Sequence, residues 1–145
     1  MNIIRSTIDF VKLNHEKGMT IKAYFYSAYY RIIIKFVPMN RIEKIMGVRG
    51  EESSVEETDE NIRYARLVSF HVNRVTEHTP WESKCFVRAL TAQKLLKKKK
   101  IQSTLYMGVK MDEGKMVAHA WLRCGLTYVT GGNGVEYSMV AKFRA

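Results

Sequence analysis

What most constrains this chain is a change of hydrophobic period at Lys100: upstream, apolar residues recur every three or four positions, and downstream they fall into short runs broken by glycine-containing turns. From Thr20 to Val37, the residues Ile21, Tyr24, Phe25, Ala28, Tyr29, Ile32, Ile33 and Phe36 surround the helix axis, predicting a buried or sandwiched helix that Pro38 stops. Ile42, Ile45 and Met46 make a short second amphipathic turn, which Gly47 closes. Thr58 is a natural N-cap for a helix over about 59 to 78, with Asp59 and Glu60 in its first turn and Ile62, Leu67, Val68, Val72 and Val75 as its apolar stripe. Ser83 is positioned to cap the next helix, which carries Cys85, Phe86, Val87, Ala89, Leu90, Ala92, Leu95 and Leu96 and ends in Lys97 to Lys100. Beyond it, Thr104 to Met111, Met116 to Arg123, Leu126 to Thr130 and Tyr137 to Phe143 read as strands. Asp112-Glu113-Gly114, Cys124-Gly125 and Gly131-Gly132-Asn133-Gly134 separate them, so consecutive antiparallel hairpins are expected. Helices followed by hairpins place the chain in the α+β class.

With 145 residues, the chain is long enough for one domain with a real core. The expected division is an N-terminal helical region over 1–50, an acidic linker over 51–60 and a core over 61–145. Glu51, Glu52, Glu56, Glu57, Asp59 and Glu60 are six of the 14 acids, so the rest of the chain sets 24 cations against eight acids. That excess favours an anionic partner. Two cysteines, no disulfide-like spacing and no signal-peptide pattern point to a reducing compartment, with the cytoplasm as the expectation. The most apolar stretch, Ile21 to Val37, is interrupted by Lys22, Arg31 and Lys35 and does not read as a membrane span.

Chemistry concentrates at Cys85 and His119. A thiolate is the nucleophile in thiol chemistry, and a helix start stabilises it through unpaired N–H groups that could equally hold an oxyanion. His119 follows 34 positions later in the second expected strand, where a packed sheet can aim an imidazole at a helix end. Taken alone, a cysteine at a helix start is more often a small buried residue, and a lone histidine more often structural. The surrounding residues favour the catalytic reading. Trp81-Glu82-Ser83-Lys84-Cys85-Phe86-Val87-Arg88-Ala89-Leu90, then Leu95-Leu96, Ile101, Leu105-Tyr106-Met107-Gly108-Val109 and Ala118-His119-Ala120-Trp121-Leu122 resemble the standalone leader peptidases of lasso-peptide biosynthesis.

That resemblance covers roughly 80–143 and implies a papain/transglutaminase-like core, its nucleophile helix packed on an antiparallel sheet. It also implies a cysteine peptidase that removes the leader from a ribosomally made precursor through a Cys85 acyl-enzyme, with His119 as general base and acid. The implied partners are the precursor peptide, a separate leader-binding protein carrying a RiPP recognition element, and a separate ATP-dependent lasso cyclase. In this family an Asp usually follows the His on the next strand, whereas here the stretch reads Tyr128-Val129-Thr130-Gly131-Gly132-Asn133-Gly134. If Cys124-Gly125 is a two-residue turn, His119 falls opposite Thr130, the geometric candidate to orient the ring; Asn133 is the chemical candidate, and Glu136 a further one.

The remaining residues support blander readings. Cys124 lies on the opposite strand face from His119 and reads as a packed thiol, and His15, His71 and His78 lack ligand-like spacing. That spacing leaves no metal site to expect, and no cofactor is expected either, since the glycines at 131, 132 and 134 precede a strand instead of cradling phosphate at a helix start. Trp81 and Trp121 are core anchors or walls of a substrate groove. The Lys97 to Lys100 run reads as a solvated helix end, and the aromatic first helix is left to dock a partner or to lie on a membrane surface. Two rivals stand beside the peptidase: a transglutaminase-like acyl transferase with an amine acceptor, and a basic nucleic-acid binder, which leaves the Cys85/His119 context unexplained and is set aside.

Overall fold

The computed structural model describes the backbone at 3–79 and 84–145 and side chains at 18–79 and 84–145. In chain order the elements are α1 (Ile3–Phe36), α2 (Met39–Met46), β1 (Val48–Arg49), α3 (Asp59–Thr76), α4 (Cys85–Lys98), β2 (Thr104–Asp112), β3 (Lys115–Cys124), β4 (Thr127–Thr130) and β5 (Ser138–Arg144). The α+β expectation holds: helices pack on an antiparallel five-stranded sheet ordered β1-β5-β2-β3-β4. The first helix runs well upstream of Thr20, to Ile3. Among the described residues no helix is long and apolar enough to cross a membrane.

Local chemistry sets the helix ends. Thr58 caps α3 as expected, its Oγ1 accepting from the Asn61 N–H at 3.2 Å. For α4 the cap position is Lys84, in extended conformation and with no side-chain capping bond, one residue later than the expected Ser83, which lies outside the described residues. The first-turn N–H groups of α4 are therefore not consumed by a cap from Lys84.

Strand alternation separates the sheet into two unlike faces. Leu105, Ala120, Leu122, Cys124 and Phe143 face the helices and join Val68, Val72, Leu90 and Leu96 in one apolar core. Paired residues Thr104 and Arg123, Tyr106 and Trp121, and Gly108 and His119 share the other face. The stretch expected to be a solvated linker crosses that second face. Glu52 Oε1 accepts from the Tyr106 hydroxyl at 2.8 Å, Ser53 is buried with its N–H on Thr104 Oγ1 at 2.7 Å, and the Ser53 carbonyl accepts from Arg123 at 2.9 Å. Glu51 pairs with Arg144. Glu51 and, through Lys142 at 3.9 Å, Glu52 thus meet cations distant in sequence, which a reading of local charge density does not reveal.

Candidate active site

Cys85 is the first residue of α4 and is half-buried against the apolar core. The helix packs against β3, the strand that carries His119, and against β4. An N1 thiol sits beside the unpaired donors of the first turn, the location in which a helix favours an anion.

His119 is half-buried on β3, and its Nε2 lies 2.7 Å from the Gly131 carbonyl oxygen. A carbonyl can only accept, so the ring proton resides on Nε2 and the lone pair is left on Nδ1. The imidazole therefore holds the tautomer a base needs without any acidic side chain. Its plane is held by aromatic contacts: Tyr137 at 4.6 Å between centroids and Trp121 at 5.9 Å, with Trp121 in turn stacked on Tyr106 at 5.5 Å. Such pairs add roughly 0.5–1.5 kcal/mol each beyond area burial. Lys110 covers the outer side of Tyr137, its Nζ 4.8 Å from the ring centre.

The expected pairing of Thr130 with His119 is corrected by the register. The turn is Gly125-Leu126 instead of Cys124-Gly125, with positive φ at Gly125 as a type II′ connection requires, so Cys124 stays in the ladder. An irregularity between Leu122 and Arg123 then sets Thr130 opposite Leu122, three residues from His119. Thr130 Oγ1 is buried with no hydrogen-bond partner. Asn133 is exposed, and its Oδ1 accepts from the Val135 N–H at 3.1 Å, a bond local to its own turn. Glu136 pairs with Lys110 at 3.2 Å. None of these three side chains shares a hydrogen bond with the imidazole; the acceptor is a main-chain atom, which no motif reports because every residue carries one.

Trp121 is buried and touches the imidazole, so it is both an anchor and a wall beside His119, whereas Trp81 lies outside the described residues. In the sequence Tyr137 marks only the start of an expected strand. The signal that could have raised it is its place at the end of a glycine-rich loop, where the chain turns back over β3. Among the described residues no hydrogen bond joins the Cys85 thiol to the imidazole, a common condition of unliganded sites, whose catalytic contacts tighten when substrate binds. β4 stops pairing at Leu122, and the Nε2 bond ties the ring to Gly131, the residue just past the end of β4.

The other expected residues behave structurally. Cys124 is buried, its thiol pushed up to about 11 by desolvation, with the nearby Glu57 charge adding to the shift and Arg123 opposing it. His71 is buried with Nδ1 3.2 Å from Thr20 Oγ1, His78 is exposed, and the His15 side chain lies outside the described residues. Both cysteines are free, and no group of metal-ligating side chains occurs among the described residues.

A family model described as the transglutaminase-like superfamily matches residues 37–144, a span that holds both Cys85 and His119. No curated protein and no solved structure matches.

Proposed function

The chain belongs to the transglutaminase-like superfamily, whose fold is of the cysteine-protease and acyltransferase type, and from that premise we propose that it is a cysteine peptidase with Cys85 as nucleophile and His119 as base. The observation that carries this reading is the Nε2 bond to the Gly131 carbonyl, which leaves Nδ1 as the proton acceptor on a strand packed by the Cys85 helix.

In the proposed reaction, Nδ1 takes the thiol proton and the Cys85 Sγ electron pair attacks a peptide carbonyl carbon. The carbonyl oxygen becomes an oxyanion facing the first-turn N–H groups of α4. Collapse breaks the C–N bond as the imidazolium returns its proton to the leaving amine, giving a thioester on Cys85. Water, deprotonated by His119, then attacks the thioester and restores the thiol.

The substrate we propose is a ribosomally made lasso precursor cut between leader and core in the cytoplasm, delivered by a separate leader-binding protein with a RiPP recognition element. The freed core amine passes to a separate ATP-dependent cyclase. Support comes from the Cys85 and His119 sequence contexts, which lie within the matched span.

The test is mass spectrometry of the precursor encoded beside this chain, incubated with the leader-binding protein and either wild type or Cys85→Ala. Leader release that depends on Cys85 supports the reading; cleavage by Cys85→Ala ends it. Addition of a primary amine acceptor separates the rival, because an amide-linked mass adduct in place of the free acid identifies an acyl transferase.

A further inference from the structure

Helices α1, α2 and α4 line a cavity of about 530 Å³ that includes none of the residues around the imidazole. Its apolar wall includes Phe25, Tyr29 and Ile45, and its charged rim is Lys44, Lys94 and Lys97. Among the described residues no acidic side chain lines it. Gln93 Nε2 donates to the Met46 carbonyl at 2.8 Å, tying α4 to the end of α2 and so holding the groove's shape. Phe25 is 65% exposed and Tyr29 54%, a large apolar area to leave in water.

The exposed surface extends beyond the cavity as a stripe. Ile21, Phe25, Tyr29, Ile32 and Phe36 are all exposed and follow one another at spacings of three and four on α1. Fifteen residues of rise make this stripe roughly 22 Å long, the length of a four-turn helix. A stripe at that spacing is the surface an amphipathic helix packs against, its own apolar residues entering the groove. The three lysines specify acidic residues on the flanks of such a helix.

We propose that this groove is an exosite for an acidic amphipathic helical segment of the peptide substrate. The identity of the occupant as substrate rests on the peptidase reading above. Helix α4 connects the two places: Cys85 starts it, and Gln93 to Lys97 line the groove about 12–18 Å further along. A segment seated there would be held remote from the scissile bond, so its binding would concentrate the substrate without touching the chemistry. The concave shape favours inserted side chains over a flat lipid surface.

The experiment uses full-length Cys85→Ala, which separates binding from turnover. The probe is a labelled sixteen-residue helical peptide with leucine on one face and glutamate on the other, followed by fluorescence anisotropy. Its controls are a twin with lysine for every glutamate, and vesicles of phosphatidylglycerol. The inference expects the acidic peptide to bind, the lysine twin not to, and Lys94→Glu/Lys97→Glu to weaken the acidic peptide by at least about tenfold, with affinity falling as salt rises. In the active chain the same double substitution should raise KM for the precursor and leave kcat in place. Affinity unchanged by the charge reversal overturns the exosite, as does failure of the acidic peptide to bind. Vesicle binding that is lost in Phe25→Ser, without peptide binding, would assign the surface to a membrane instead.

Discussion

The packing around Trp121 yields a sharp prediction from two neighbouring glycines. Gly134 has φ of 67°, and a Cβ built on it would fall inside the Trp121 indole; Gly132 has φ of 72°, and a Cβ there meets nothing within 4 Å. Any L residue in this left-handed region costs about 1–2 kcal/mol, so both Gly132→Ala and Gly134→Ala carry that term. Only Gly134→Ala must also move the indole, an overpacking cost of about 1–3 kcal/mol. The two variants should therefore differ by that second amount, and at roughly 3 °C per kcal/mol for a domain this size the difference reads as about 3–9 °C in Tm. Thermal unfolding followed by far-UV circular dichroism measures it. Because Trp121 and Tyr137 hold the imidazole plane, displacement of the indole should also lower kcat about tenfold or more in Gly134→Ala and leave Gly132→Ala near wild type. Equal Tm losses in the two variants would refute the close approach of Trp121 to Gly134, and a Tm difference without an activity difference would refute the role of the indole in holding His119.

Two further outcomes follow from buried groups. Thr130 is 2% exposed with an unpartnered hydroxyl, so Thr130→Val should raise stability by about 1 kcal/mol in urea unfolding and leave the proposed peptidase activity unchanged; a large loss of activity would restore Thr130 as the orienting group. For Cys124, the folded thiol is raised from 9.0 to about 11, so above pH 9 the unfolded chain releases a proton that the folded chain retains. Stability is then full below about pH 9 and declines as pH rises toward 11, and Cys124→Ala should flatten that decline in denaturation curves taken across the window.

Much of this architecture is legible in the sequence because its hydrophobic periods are strong. The period change at Lys100 separates α4 from the hairpins, and Thr58 and Pro38 mark helix boundaries by chemistry that acts within a few residues. What escapes is chemistry at long range. Glu52 finds Tyr106 and Lys142, and Glu51 finds Arg144, across 54, 90 and 93 positions, so the acid run looks solvated until the sheet brings its partners to it. Register escapes for a different reason: a one-residue choice of turn and a single irregularity at Leu122 displace every pairing beyond them, and Thr130 moves away from His119. The two-residue strand β1 is too short for any periodicity to show.

The site itself departs from a triad in a way with chemical consequences. In serine peptidases the residue behind the histidine matters largely because it enforces the correct tautomer, and an amide in its place fails by allowing the wrong one. An Asn at position 133 would face that ambiguity, since its side chain can donate as well as accept. The Gly131 carbonyl cannot donate, so it enforces the Nε2–H tautomer as strictly as a carboxylate does. What it lacks is a full negative charge to stabilise the imidazolium that the proposed acyl-enzyme reaction would form. In the proposed reaction, stacking on Tyr137 and Trp121 would supply part of that stabilisation through the ring faces, which attract cations. Such a site keeps the orientation of a triad while resting its charge stabilisation on aromatic rings. Its rate should therefore depend more on Tyr137 than on any polar side chain in the 130–136 loop.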